Sequence, residues 1–437
     1  MSDTVKDPLQ DDGSTPEDGG AVTVVDDSAA PIPAVDPRLL VREEGLKGYL
    51  TEFKRKVRGG ELGSIPVVLG LIAIGIIFQS LDASFLAADS LSNISIYIAG
   101  QGIMAVGIVF VLLLGEIDLS VGSVAGVGAA IWAVLSVSHG MNDGVAVLAA
   151  IAAGALIGAF HGFFFARIGV PAFVVTLAGF LGWSGLQIWL MGSEGSINTP
   201  SGSIVENLTN YFFEDIAAAY GLALVAVLAY LASMLLDTRR RRAAQLPARP
   251  TSEIVLRTTV LAVVVFAAAY ELNQSRGLPL ALVIFLAVLV LTDFVVRRTT
   301  YGRQIFAVGG STEAARRAGI NVEWIRISVF TIAGTLAVVG GLFIASQSGG
   351  ATKSLGAGNV LMNVIAAAVI GGTSLFGGRG KIWSALLGML VIQSIQQGLN
   401  LLGMASEIQY MITGAVLLAA VVIDSVSRRT QKSAGRT

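Results

Sequence analysis

Apolar runs of about 20 residues recur along this chain, and that repetition constrains its fold more than any other feature. Wound as a helix, such a run is about 30 Å long, the thickness of a bilayer's hydrocarbon core. Twelve segments have this character: 64–81, 94–114, 119–138, 144–166, 171–191, 217–236, 255–272, 278–296, 326–346, 360–377, 383–402 and 408–424. Only 14% of the residues are charged and 54% are hydrophobic, against roughly 25% charged in soluble domains. The runs are continuous, without the alternation of a membrane barrel. The expected fold is an all-α, polytopic helical membrane protein of about 10–12 transmembrane helices. Glycine breaks leave the count open, because an interrupted segment either spans or re-enters.

Charge then orients the helices. The net charge of −1 hides an asymmetry, since residues 1–37 hold nine acidic residues and one lysine, leaving the remainder at +7. Residues 1–40, rich in Asp, Pro, Gly, Ser and Thr, are expected to form a disordered acidic tail and do not read as a cleaved signal peptide. A basic juxtamembrane segment (41–63), the transmembrane domain (64–429) and a closing tail (430–437) follow. With the first segment running outward, only Arg276 and Lys353 of the 29 basic residues fall outside. This positive-inside pattern predicts that both termini are cytoplasmic. Loop 192–216 carries Glu194, Glu206, Glu214 and Asp215 without Lys or Arg, and is predicted to be external.

Residues 297–326 form the longest polar connection between apolar segments on the basic side. Arg297, Arg298, Arg303, Arg316, Arg317 and Arg326 stand there against Glu313 and Glu323. The stretch 312–318 opens on a hydroxyl residue, continues Glu313-Ala314-Ala315-Arg316 and ends at Gly319, which predicts a short helix marked at both ends. One reading is that the loop's charge merely fixes orientation. The other is that a short projecting helix is gripped by a soluble partner.

The interior holds a second unusual stretch. Glu116 and Asp118 lie between apolar runs, flanked by Gly115 and Gly122, with Asp118 or Ser120 able to cap the next helix. A tight turn and a discontinuous helix lining a substrate path are both open. Gly371-Gly372-Thr373-Ser374-Leu375-Phe376-Gly377-Gly378 echoes residues 115–122 through Gly115/Gly371, Leu119/Leu375 and Gly122/Gly378. Both stretches are predicted on the cytoplasmic side, as a parallel repeat. Gly154, Gly158 and Gly162, four apart, predict a close helix-packing face. Trp183 and Gln187 are candidates for stacking and hydrogen bonding to a sugar, although aromatics near an interface also serve as anchors.

Several chemistries find no support. Gly380-Lys381 is followed by Ile382 and lacks the earlier glycine of a phosphate loop, so any ATP hydrolysis belongs to another chain. There is no cysteine, and His139 and His161 offer no metal cluster. No catalytic triad is evident. Glu116, Asp118 and Asp293 are few acids for a proton relay, which disfavours an ion-driven carrier. A membrane enzyme or sensor using the arginine loop is the remaining rival class.

Taken together, VLLLGEIDLSVGSVAG, VPAFVVTLAG, YGRQIFAVGGSTEAARRAGINV and VIGGTSLFGG resemble the permease subunits of bacterial ABC sugar importers of the ribose and xylose group. The likeness runs from about residue 64 to 429, and the insertion 237–257 is similar to that of the xylose branch. The resemblance implies a non-enzymatic permease in the bacterial inner membrane that pairs with a second copy of itself. Two cytoplasmic ATP-binding subunits would bind ATP and Mg, and a periplasmic sugar-binding protein would deliver a monosaccharide, D-xylose above ribose, arabinose or galactose. Neither a cofactor nor a metal in this chain, nor a nucleic acid, is implied. Gly302, Arg303, Glu313, Ala314, Ala315, Arg316 and Gly319 would form the ATPase-coupling loop. Gly115, Glu116, Asp118, Ser120, Gly122, Gly371, Gly372, Thr373 and Ser374 would line the translocation pathway. Ser311 and Arg317 depart from the family's usual residues.

Overall fold

A computed structural model describes residues 65–246 and 248–433, with side chains of the last helix only as far as 419 and at Val422. The acidic tail 1–40, the basic segment 41–63 and residues 434–437 lie outside the described residues. Each of the twelve sequence segments overlaps a helix. In order these are α1 (Ile65–Leu81), α2 (Ala88–Leu113), α3 (Val121–Ala133), α4 (Asp143–Phe163) and α5 (Ala172–Met191). A short α6 (Ile204–Asn210) precedes α7 (Ile216–Ala243), α8 (Thr251–Gln274) and α9 (Leu280–Arg298). Two short helices, α10 (Thr300–Gly310) and α11 (Thr312–Arg317), lead into α12 (Val322–Gln347). The chain then forms α13 (Asn359–Ile370), α14 (Trp383–Leu401) and α15 (Ser406–Ser433). Single π-helical turns, Val134–Ser138 and Phe164–Ile168, extend α3 and α4.

Among the described residues, eight helices are long and apolar enough to cross a membrane. α14 has the length but carries Gln393, Gln396, Gln397 and Asn400. α13, with 12 residues, reaches about 18 Å against a hydrocarbon core of about 30 Å. α13 alone is therefore shorter than the hydrocarbon core.

α2 and α12 occupy the centre. In α2, 89% of the most apolar window is buried, whereas α5, α7 and α8 bury 17% each and turn most of their surface outward. α12 makes its most extensive contacts with α4, α2 and α3. Glycines set the closeness of the first two. A Cβ at Gly154, Gly158 or Gly162 would collide with α12 backbone or Val338, and Gly334 presses reciprocally on Gly154 and Gly158. Gly100 and Gly340 meet in the same way between α2 and α12. Lipid tails are as apolar as leucine, so helices in a bilayer associate by packing, and small residues let their backbones approach. The face predicted from 154, 158 and 162 is therefore a seam along α12.

The two ends of the bundle differ. At one end, β1 (Ser196–Asn198) pairs antiparallel with β4 (Gly350–Thr352), and β2 (Phe212–Phe213) with β3 (Leu278–Pro279). Loop 192–216 is therefore folded. Asp143 Oδ2 accepts from Ile204 N at 2.5 Å, and Ser346 Oγ meets Thr209 Oγ1 at 2.7 Å. At the opposite end lie α10, α11 and the breaks at 114–120 and 371–382, with Arg167 paired to Glu323 at 2.7 Å.

Overpacking a close seam should be costly. Gly158→Leu is expected to destabilise the detergent-solubilised chain by about 1–3 kcal/mol. Gly182→Leu, where an added Cβ meets nothing within 4 Å, should leave it near its parent. Thermal unfolding of both variants checks the difference.

Candidate functional site

Three helices at the basic end stop on one backbone device. α2 ends where Gly115 N donates to Leu112 O at 2.9 Å and Glu116 N to Val111 O at 3.3 Å. α13 ends where Gly372 N donates to Val369 O at 2.9 Å and Thr373 N to Ala368 O at 3.0 Å. α11 ends where Gly319 N donates to Arg316 O and Ile320 N to Ala315 O. The three glycines have φ of +83°, +101° and +79°, the left-handed conformation that favours glycine. Each pair of bonds satisfies carbonyls that a broken helix would otherwise leave bare. The two breaks that resemble each other in sequence thus share a cap, but Gly115 corresponds to Gly372. The overlay of Gly115 on Gly371 is one residue out. Gly371 serves a different purpose, pressing its bare Cα against the carbonyl of Ser384.

The breaks also touch each other. Gly378 N donates to Leu113 O at 2.9 Å, and the space beside Gly115 Cα is filled by Phe376 O. Both lie at one end, as the parallel repeat requires. The end of α10 closes the group, with Gly309 against Leu113 O and Gly377 between Gly309 O and Gly115 N. Loops 114–120 and 371–382 and the loop predicted to couple are therefore one backbone-to-backbone assembly.

The segment predicted to couple has two helices where the sequence predicts one. α10 is packed on one side through Gly302, Ile305 and Val308, and Gly302 sits on the backbone of Val296. Ser311 separates it from α11 and caps α11, its Oγ accepting from Ala314 N at 3.3 Å. The cap is thus Ser311, one residue before the expected hydroxyl. Of α11 only Ala315 is buried, while Arg303, Glu313, Ala314, Arg316 and Gly319 are exposed. Arg316 and Glu313 pair at 3.3 Å with both side chains largely in solvent, a contact worth little. The exposed face of α11 is held by its caps.

The interior side of 114–120 is polar and closed. Asp118, Ser120 and Thr373 are buried, as is Ser374. Asp118 Oδ1 accepts from Ser120 N at 2.8 Å and Ser120 Oγ at 2.6 Å, fixing the residue before α3 instead of capping its first turn. Ser120 Oγ lies 3.3 Å from His161 Nδ1, and Trp183 Nε1 donates to His161 Nε2 at 2.8 Å. Leu119 N donates to Thr176 Oγ1 at 3.1 Å. Gly122 sits against Gly356 O and Leu361, a close approach between α3 and the turn preceding α13. Ile117 is 39% exposed while Asp118 and Ser120 are buried, so the segment is a helix break with a closed polar inner side and an open outer one.

Trp183 and Gln187 are both engaged within the chain. Gln187 is buried and its Nε2 donates to Thr352 O at 2.8 Å and Leu355 O at 3.1 Å. His161, Thr176 and Gly309 escape sequence reading. The only available hint was a histidine set between Gly158 and Gly162 on an apolar helix, and its partners are 41 and 22 residues away. No group of three or more His, Cys, Asp or Glu among the described residues could hold a metal.

Glu116 faces the basic segment. Burial pushes its carboxyl above the usual glutamate value, and the Arg326 guanidinium works against that rise. The Arg326 guanidinium stacks 4.3 Å over Phe165.

The family model described as "Branched-chain amino acid transport system / permease component" matches residues 90–421. The chain is 34% identical over 370 residues to the xylose transport system permease protein XylH of Haemophilus influenzae, covering 84% of this chain and 98% of that one. It is 34% identical over 365 residues to XylH of Escherichia coli, covering 83% and 92%. It is 29% identical over 374 residues to the ribose import permease protein RbsC of Bacillus subtilis, covering 86% and 96%. No solved structure matches the chain.

Two outcomes are expected of the 114–122 break. A carboxyl with a raised folded pKa favours the fold below its unfolded value near 4.5, and that contribution is lost as pH rises through the folded value. Glu116→Gln should therefore flatten the fall in stability above pH 4.5, and Arg326→Met should steepen it, as melting temperature against pH will record. Gly122→Leu, which drives a side chain into Gly356 O, should leave the chain in the membrane yet abolish transport in vesicles. Normal flux in that variant would reduce the break to a packing feature.

Proposed function

The chain belongs to the branched-chain amino acid transport system / permease component family, and we propose that it is the transmembrane subunit of an ATP-binding-cassette importer for a monosaccharide. The observation that carries this reading is the coupling segment. An exposed helix, capped at both ends, joins through α10 and backbone contacts to two breaks in the helices behind it. Docked in a partner, such a helix transmits rigid-body movement to those breaks.

The cargo follows from the relatives' names. XylH of two organisms matches at 34% identity and RbsC at 29%, so D-xylose is the first candidate and ribose the second. The chain is a permease, and ATP and Mg are held by two cytoplasmic ATPase subunits. A second copy of the chain completes the pathway, and a periplasmic sugar-binding protein loads it at the end formed by β1–β4 and loop 192–216. Both termini face the cytoplasm of a bacterial inner membrane, in keeping with the basic residues gathered at the α10–α11 end. Gly302, Arg303, Glu313, Ala314, Ala315, Arg316 and Gly319 make up the coupling surface. Gly115, Glu116, Asp118, Ser120, Gly122 and Gly371–Ser374 form the neighbourhood of the pathway.

Uptake of labelled D-xylose into proteoliposomes carrying this chain, its ATPase and its binding protein tests the reading. Uptake should need all three components and ATP, and unlabelled xylose should compete better than ribose, arabinose or galactose. Better competition by another sugar changes the cargo. Flux that ignores ATP and follows an ion gradient overturns the proposal. Reversing the exposed charges, Glu313→Lys with Arg316→Glu, should leave the chain folded while lowering ATPase co-purification and uptake about tenfold, equivalent to about 1.4 kcal/mol of docking energy.

A further inference from the structure

His161 stands where two routes from the coupling segment converge. The first route is rigid. α11 leads through Gly319 into α12, and α12 is locked to α4 by the contacts of Gly154, Gly158 and Gly162. Backbone against backbone leaves no side-chain slack, so α4 and α12 move as one strut. His161 lies on α4 between the seam residues Gly158 and Gly162 in sequence and is 1% exposed. The second route is the break. α10 presses Gly309 on Leu113 O, at the entrance to loop 114–120, and the far end of that loop reaches His161 through Ser120.

Beyond His161 is α5, which is loosely held. Its most apolar window is only 17% buried, and a Cβ at Gly182 or Gly185 would meet nothing within 4 Å. Two contacts tie α5 inward near the break, Thr176 Oγ1 accepting from Leu119 N at 3.1 Å at its first turns and the imidazole further along. Trp183 Nε1 donates to His161 Nε2 at 2.8 Å, and the bare Cα of Gly179 lies directly against His161 Nε2. The bonds fix the tautomer. Nε2 accepts from the indole, so the ring proton sits on Nδ1 and donates to Ser120 Oγ, whose own proton goes to Asp118 Oδ1. Every donor in the chain from Trp183 to Asp118 then has one acceptor. Reversal at any member would set two donors or two acceptors face to face, so the chain holds one arrangement.

We propose that His161 is a positioning residue through which movement of the coupling segment reaches the Trp183 turn of α5. It neither touches the transported sugar nor docks the ATPase. It joins a strut and a loop that move with the coupling segment to a helix free on its other side. The proposal rests on the importer reading above, and its test separates the two.

The chain has no cysteine, so Gly182→Cys supplies a single thiol in open space on α5 for a spin label or fluorophore. In the assembled complex with its ATPase, nucleotide trapping should shift the label's spectrum. His161→Phe keeps an aromatic ring and deletes both hydrogen bonds. It should at least halve that shift and lower sugar uptake about tenfold, while ATP hydrolysis and co-purification of the ATPase persist. His161→Gln, whose amide can accept from Trp183 and donate to Ser120, should recover part of both signals. An unchanged shift in His161→Phe overturns the proposal alone. So does a proportional loss of uptake, hydrolysis and assembly in both variants, which marks a purely structural histidine. A parent complex that never responds to nucleotide overturns the importer reading and this proposal with it.

Discussion

Inside a bilayer no water is available to satisfy a bare carbonyl or amide, and each one left unpaired costs several kcal/mol. Everything distinctive about this chain follows from how it interrupts helices under that constraint. α2 and α13 stop within the membrane domain, and both close their last turn on a left-handed glycine, Gly115 and Gly372. The freed backbone beyond them is then shared. Leu113 O takes the amide of Gly378, so one break completes the other. Together they make a backbone knot whose inner side, at Asp118, Ser120, Thr373 and Ser374, is buried.

The same economy of atoms explains the glycine seams. Helices that must stay in register without a hydrophobic driving force do so by close backbone approach. α12 meets α4 through Gly154, Gly158 and Gly162 and meets α2 through Gly100 and Gly340. At Gly158 and Gly162 the contact is stiff, because the nearest atoms are the α12 backbone itself and no flexible side chain lies between to absorb displacement. α5, α7 and α8 lack it and lie outside the packed centre. Stiffness near the coupling segment and looseness at the periphery are thus two consequences of where the glycines fall.

How much of this was legible in the sequence varies by the range of the interaction. Helices were legible because twenty apolar residues in a row have one physical solution in lipid, and all twelve segments overlap helices. α11 was legible because its stop signals are local, though Ser311 and Thr312 compete for the cap and the first hydroxyl takes it. α10 was missed, since its apolar positions, Ile305 and Val308, are too few to stand out in a basic loop. The count of spans was uncertain for a physical reason. α13 and the residues after it read as one apolar run because the break is marked by Gly371 and Gly372, which carry no charge to announce it. Trp183 and Gln187 carried the right chemistry for a sugar, but the same donors suit the partners they have, His161 and the carbonyls of Thr352 and Leu355. Long-range pairing of that kind leaves no periodicity to read.

The proposed coupling helix, α11, shows why capping matters more here than helix propensity. A six-residue helix gains too few internal bonds to offset the fixing of its first turn, and such a length is unstable alone. Only Ala315 of α11 is buried, so packing adds little. Its shape is set by Ser311 at one end and Gly319 at the other, each satisfying groups that solvent would otherwise compete for. Preforming the helix removes the ordering cost from any docking event, and the exposed side chains remain free to meet a partner. Immediately behind it, α10 and α12 rest on the breaks and on the α4 seam. A grip on six capped residues is therefore a grip on the backbone that joins both interruptions, with Gly309 and Gly319 as the two ends of the lever.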